Sequence, residues 1–422
     1  MKTRAVRLYG KDDLRLEEFE LPQITEGEIL AKVVSDSICM SSYKAAHQGT
    51  DHKRVPKDVA EHPTIIGHEF AGEIVEVGRK WQDAFKPGDK FSIQPAITYE
   101  GGPVGVLSAP GYSYRYAGGD STYIIIPEEV MLQGCLLPYK GEGFYPASLS
   151  EPLSCVIGAM HACYHTTPGS YVHQMEIKAN GKMALLAGVG PMGLACINYV
   201  LHREDRHPSL FVVTDIDQGR LDRAARLYTP EFAASRGIEL RYVNTGGLAD
   251  PTAALREISG GDGYDEVVVM APVPALVEQA DDILAFDGCL NFFSGPSKSP
   301  FKALLNFYNV HYASTHIVGT SGGNTDDMKE ALHLMGKGMD PAGLVTHIGG
   351  LNAVIDTTLN LPSIPGGKKM IYTHIEMPLT AIADFGKVGR PVYDALDRIC
   401  KAHDGLWSVE AEEYLLAHAA EL

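Results

Sequence analysis

The stretch Gly67-His68-Glu69-Phe70-Ala71-Gly72 sets an imidazole beside a carboxylate, with a glycine on either side. Neutral His and ionised Glu each hold a lone pair that zinc accepts. Taken alone, the pair is better described as a surface turn with a salt-bridged Glu. Cys39, in Ser37-Ile38-Cys39-Met40-Ser41-Ser42-Tyr43-Lys44, changes the balance. A lone Cys is usually a small core residue, but with His68 and Glu69 downstream thiolate ligation becomes the better reading. The Ser41 hydroxyl could carry a proton to or from a reacting oxygen, and it also suits a helix N-cap. Glu151 precedes Pro152. There it serves the dipole of a helix that starts at Pro152, or it acts as a further metal ligand or an outer acid. Cys155 competes for that place, so the residue that completes a set with Cys39 and His68 is Glu69, Glu151 or Cys155. His161 and His165, one turn apart on an expected helix, read as surface or core histidines.

A second constellation is Gly188-Val189-Gly190-Pro191-Met192-Gly193. It follows the apolar run Lys182–Ala187 and opens a helical run, Leu194–His202. Strand, tight turn and helix are the context in which G-x-G-x-x-G binds a dinucleotide. The first glycine is expected to allow the turn, the second to admit a pyrophosphate, and the third to let helix and strand pack. Pro191 and Met192 belong to the same loop. Asp215 ends the next strand-like run, Leu210–Thr214, where a carboxylate would accept hydrogen bonds from an adenosine ribose and repel a 2′-phosphate. NAD(H) is therefore favoured over NADP(H). Arg220 joins the cofactor-binding set; with Arg223 it lies too far along its helix to overturn that preference.

The elements that must position these residues fall into two patterns. Up to about residue 150, short apolar runs (Ile29–Val34, Ile74–Val77, Lys90–Ile93, Thr122–Ile126) alternate with Gly/Pro turns, as in a folded-over or barrel-like β domain. Residues 100–120, rich in Gly, Pro, Tyr and Ser, read as an ordered loop without cysteine. From Gly181 on, strand-like runs at Glu239–Val243, Glu266–Met270, Cys289–Phe293 and Thr315–Gly319 alternate with helical stretches. That pattern implies an α/β fold with a parallel, doubly wound sheet. Ala271–Pro274 is expected at the nicotinamide, and Gly319–Asp327 is expected to return the chain to the first domain. One more strand, Lys369–Thr373, precedes a helical tail from about Pro378.

The chain has 422 residues, 36 basic and 53 acidic, for a net charge of −17. Such a chain, without a basic block, attracts neither nucleic acid nor an anionic membrane. No apolar run is long enough to span a bilayer, and Met1–Arg7, with no long apolar segment after its charges, is not expected to act as a secretory signal. Seven cysteines at wide spacing, with no CxxC pair, fit a reducing cytoplasm.

Cys39 with Ser41, Gly67-His68-Glu69 with Gly72 and Gly78, Glu151-Pro152, and the glycine loop with Asp215 stand in the order of the zinc-dependent medium-chain dehydrogenase/reductases. The chain resembles that family over nearly its whole length. Glu151-Pro152-Leu153 is similar to its polyol dehydrogenase branch. The resemblance implies a mainly β GroES-like catalytic domain begun by residues 1–155, a Rossmann NAD(P)-binding domain at 156–315, and a return segment at 316–422 that completes the catalytic domain. It implies one catalytic zinc and a nicotinamide cofactor, because the loop that often carries a four-cysteine structural zinc has no cysteine here. It implies a homodimer or homotetramer. A closer resemblance rests on Cys39–Lys44, Ala109–Tyr116, Gly319–Asp327 and Gly366-Gly367-Lys368-Lys369. That likeness implies a sugar-phosphate substrate, with the C2 ketone of L-sorbose 1-phosphate reduced to D-glucitol 6-phosphate. Lys44 stands where relatives often have a relay histidine; the resemblance implies a catalytic place for it, and the alternatives are contact with a substrate phosphate or with the cofactor. Lys44, Lys53, Arg54 and Arg115 are the candidate cations for that phosphate.

Overall fold

The computed structural model describes residues 1–297 and 299–421. The chain divides into two compact units, Met1–Glu151 with Asp340–Leu422, and Pro152–Met339.

The first unit is built on a sheet in the spatial order Thr380–Ala381, Val345–Gly350, Lys368–Tyr372, Ile29–Ile38, Phe70–Val77, Lys90–Ile93, Leu136–Tyr139; Tyr123–Ile126 also pairs with Ile29–Ile38. The long strand Ile29–Ile38 alternates as its sequence demands. Ile29, Ala31 and Val33 enter a core with Ile74, Phe91 and Ile126, while Leu30 packs the other face with Leu21 and Ile125. This strand runs antiparallel to both Phe70–Val77 and Lys368–Tyr372. Its C-terminal end therefore lies beside the N-terminal ends of both neighbours. That one edge of the sheet carries Cys39, His68-Glu69 and Lys368.

The second unit holds six parallel strands in the order Glu239–Asn244, Leu210–Asp215, Lys182–Leu186, Tyr264–Val269, Leu284–Phe292, His316–Val318. Numbered along the chain, that is 3-2-1-4-5-6, the doubly wound order that binds dinucleotides where the order reverses. Ala184, Leu186, Val212, Val267, Val269 and Leu290 fill its core. The mainly β unit and the doubly wound α/β unit agree with the expected fold class.

Two local expectations are corrected. Pro152 does not open a helix: the helix is Tyr145–Ala162, with Pro152 inside it. Its start is fixed by a distant residue, since Glu412 accepts the N–H of Phe144 and, at 2.9 Å, that of Tyr145. His161 and His165 do not share a helix, because the helix stops at Ala162 and His165 lies in the strand Tyr164–Thr166. Both have carboxylate partners supplied from afar. His161 Nδ1 is 2.7 Å from Asp327 and His165 Nε2 is 2.7 Å from Glu266.

Candidate active site

Cys39 is the N-cap of the helix Met40–Gln48, and its sulfur accepts the Ser41 N–H at 3.5 Å. The Ser37 N–H donates to the Glu69 carbonyl at 3.1 Å, tying the two strand ends together. Gly67 sits at φ 89°, and a Cβ there would meet the Asp120 nitrogen and an Asp36 oxygen at 2.6 Å each. Only glycine fits that turn. As a result Cys39 Sγ, a His68 ring nitrogen and a Glu69 oxygen all lie within 4.8 Å of one another, and among the described residues no other such metal-ligating group occurs.

The donors suit zinc. Burial holds the His68 imidazole neutral, down at about 4. Its Nδ1 is 3.2 Å from Ser42 Oγ and its Nε2 is 3.1 Å from Tyr112 OH. Cys39 is only partly exposed, and burial, then the Glu69 carboxylate and more weakly that of Glu151, push its thiol up to about 12. A thiol placed so is a poor anion by itself and becomes a thiolate only with a cation beside it.

Glu69 is 1% exposed, and both its oxygens accept from Lys368 Nζ, at 2.5 and 2.6 Å. Burial works against both charges, and the pair overrides it: Lys368 is raised and Glu69 lowered, each by the other. Glu151 is buried near the same group, and its charge acts on Cys39, Tyr112 and Lys368. Cys155 lies one helical turn beyond it. Beneath Glu69, Asp36 Oδ1 accepts the Glu69 N–H at 3.0 Å. Asp36 Oδ2 and Asp120 Oδ1 are buried and find no donor, which a proton held between the two carboxyls resolves. Burial raises both acids, Asp120 to about 7.

Tyr112, Lys368, Ser42, Asp36 and Asp120 were missed as site residues by sequence reasoning. Of these, Lys368 left the nearest signal: it adjoins the expected strand Lys369–Thr373, and a lysine buried in such a strand needs polar partners. Of the sequence candidates, Ser41 and Lys44 stand on the helix capped by Cys39. Arg54 and Lys53 act electrostatically on His52, as does Lys44. Arg115 does not join them: it contacts His62 and lines a separate 440 Å³ cavity with Asp58 and Tyr116.

In the second unit the glycine loop follows Lys182–Leu186 and Gly190 caps the helix Pro191–His202, with Pro191 and Met192 in its first turn. The left-handed residue of the turn is Ala187, at φ 53°, and not Gly188. Gly188 and Gly193 are required for close approach: a Cβ on Gly193 would stand 2.1 Å from the Gly188 carbonyl oxygen. A Cβ on Gly190 would meet only Arg220 Nη2, at 3.5 Å, so the loop is open there and Arg220 reaches it. Asp215 ends its strand, with Oδ1 accepting the N–H groups of Ile216 and Asp217 at 2.9 and 3.1 Å.

Residues 25–137 match the family described as "Alcohol dehydrogenase GroES-like domain", and residues 211–337 the one described as "Zinc-binding dehydrogenase". The chain belongs to the zinc-dependent medium-chain dehydrogenase/reductases, in their polyol dehydrogenase branch. More particularly, it is 50% identical to the L-sorbose 1-phosphate reductase of Klebsiella pneumoniae, over 100% of this chain and 98% of that protein. It is also 50% identical to the mannitol-1-phosphate 5-dehydrogenase of Aliivibrio fischeri, over 98% and 97%. In fold it is similar to a putative zinc-binding dehydrogenase of Sinorhizobium meliloti solved bound to NADP, with a TM-score of 0.67, 18% identity and coverage of 88% and 99%. The chain is thus an oxidoreductase of a zinc- and nicotinamide-dependent family. No helix among the described residues is long and apolar enough to cross a membrane.

Proposed function

We propose that the chain is a zinc-dependent reductase that moves hydride from NAD(P)H to the C2 ketone of L-sorbose 1-phosphate, reversibly giving D-glucitol 6-phosphate. The observation that carries this reading is the convergence of Cys39, His68 and Glu69 at one sheet edge, in a chain half identical to such a reductase along its length. Cys39 and His68 would hold the zinc, with Glu69 or Glu151 as third ligand. When bound, zinc supplies a Lewis acid at the ketone and the nicotinamide supplies the hydride.

The chain's own residues do the rest. Ser42 Oγ holds the His68 ring at Nδ1 and the Tyr112 hydroxyl holds it at Nε2. Lys368 holds Glu69 ionised in a nearly dry place. The Ser41 hydroxyl, on the helix capped by Cys39, or a bound water delivers the proton to the product oxygen. Gly188, Gly190 and Gly193 admit the pyrophosphate to the helix N-terminus, and Asp215 Oδ2 accepts the ribose hydroxyls, so NADH is the favoured reductant. The seven free cysteines suit a reducing cytoplasm. A homodimer or homotetramer is the expected state, read by light scattering.

The test joins metal analysis to NADH consumption. Cys39→Ala should lose zinc and turnover together, and an active, zinc-free Cys39→Ala protein overturns the reading. Comparing zinc content in Glu69→Gln and Glu151→Gln assigns the third ligand. The likeness to a mannitol-1-phosphate 5-dehydrogenase supports a second reading, another phosphopolyol or free-polyol dehydrogenase. A panel of phosphorylated and plain ketoses with NADH and NADPH separates the two. No turnover on any of them leaves a dinucleotide-binding protein without catalysis.

A further inference from the structure

We propose that Arg54 and Lys53, with Lys44 adding charge, form the subsite that binds the phosphate group of the substrate, against the ring of Tyr112. The proposal rests on the sugar-phosphate reading above and locates the phosphate within it.

Tyr112 links the two places. Its hydroxyl is 3.1 Å from His68 Nε2, so one end of the side chain belongs to the candidate metal group. Its ring carries the other groups: the His52 imidazole lies nearly parallel to it, at 5.7 Å between centroids, and the Arg54 guanidinium carbon is 5.8 Å from its centre. The backbone of Arg54 is fixed, because its carbonyl accepts from Ser113 Oγ at 2.7 Å. Among the described residues its side chain is anchored at one nitrogen, Nη1, which donates to the Leu107 carbonyl at 2.8 Å. The rest of that rigid fork remains for a ligand, and a guanidinium matches phosphate oxygens two at a time.

The charges that act on His52 are all of one sign. Among the described residues neither Arg54 nor Lys53 takes part in an ion pair, in a chain whose net charge is −17. Burial, then Arg54, Lys53 and Lys44, hold the His52 imidazole neutral, down at about 4, with no acid opposing them. An acidic protein that leaves Arg54 and Lys53 out of ion pairs among the described residues, beside a candidate metal group, creates a local field favouring an anion. Arg115, in its own cavity with Asp58, is not part of that field.

The experiment uses the zinc-loaded full-length protein, Arg54→Gln, Lys53→Gln and the charge-conserving Arg54→Lys. Steady-state kinetics are run on L-sorbose 1-phosphate, fructose 6-phosphate and plain sorbose, and inorganic phosphate binding is followed by calorimetry. Arg54→Gln should raise KM for a ketose phosphate at least tenfold, with kcat and the KM for plain sorbose changed less than threefold. It should weaken phosphate binding at least tenfold. Arg54→Lys should restore part of both losses. Lys53 is exposed, so Lys53→Gln keeps the fold and carries the test if Arg54→Gln does not; a threefold or larger loss is expected. Equal effects on phosphorylated and plain ketose, unchanged phosphate affinity, or no phosphate binding by the parent protein would each overturn the subsite. If the parent reduces none of the ketoses but binds phosphate in an Arg54-dependent way, the subsite stands and the functional reading falls.

Discussion

Replacing Lys368 by Met removes the cation that both Glu69 oxygens accept from and keeps the length of the side chain. The side chains are 7% and 1% exposed, so water does not take over the role. Breaking a buried pair from one side typically costs about 3–5 kcal/mol, because the remaining charge is left uncompensated. Here the cost has a ceiling, since Glu69 can escape by taking up a proton. From its ordinary value of 4.5, protonation at pH 7.5 costs about 4 kcal/mol, and about 1.4 kcal/mol less for each unit the pH is lowered. The expected loss at pH 7.5 is therefore about 3–4 kcal/mol, shrinking toward pH 4.5. The sign follows from the shifts. Glu69 is lowered, so its contribution is present above 4.5 and lost as pH falls through its folded value. Lys368 is raised, so its contribution is full below 10.5 and lost as pH rises through its folded value. Between those limits the difference between parent and variant tracks only the protonation of the orphaned Glu69. The assay is urea unfolding of chelator-treated protein from pH 5 to 9, for the parent, Lys368→Met, Glu69→Gln and the double variant. The double variant should regain at least about 2 kcal/mol over the sum of the singles, since replacing both partners of a buried pair is often near neutral. A Lys368→Met protein within about 1 kcal/mol of the parent at pH 7.5, or strict additivity in the double variant, refutes the reasoning.

Three further outcomes are expected. Asp120, raised to about 7 by burial, contributes stability that is full below 3.8 and lost as pH rises through 7. Asp120→Asn, which keeps a donor toward Asp36, should therefore stabilise the protein by on the order of 2 kcal/mol at pH 8 and not at pH 4, read by urea melts. His161, raised to about 9 by Asp327 and Glu330, contributes stability that is present below 6.5 and lost as pH rises through 9. With about a third of the ring exposed, His161→Gln should cost about 1–2 kcal/mol at pH 6 and nothing measurable at pH 10. Asp215→Ser should lower the ratio of kcat/KM for NADH over NADPH at least tenfold, measured in the ketose-reduction assay; an unchanged ratio removes Asp215 from the cofactor preference.

What could be read in the sequence was what lies close together along it. Strand, glycine loop, helix and Asp215 occupy residues 182–215, and the pattern of short-range turns and apolar runs was enough to place them. Even there one assignment moved, because the left-handed φ falls on Ala187 while Gly188 answers to packing. Cys39 and His68-Glu69 are ligand types that could be recognised, but their meeting depends on which strands are neighbours, and periodicity gives strands without their order. The partner of Glu69 shows the limit most sharply. Lys368 lies 299 residues away and arrives only because Lys368–Tyr372 runs antiparallel beside Ile29–Ile38. Its neighbour Lys369 points to the other face and donates to the carbonyls of Ile364, Pro365 and Gly367. Two adjacent lysines in an apolar strand must find partners on opposite faces of the sheet, one a carboxylate and one a set of carbonyls. The need for partners follows from the residues alone; their kinds follow from the fold. Which carboxylate it is follows only from the fold, and the choice of Glu69 joins the return segment of the chain to the site's chemistry.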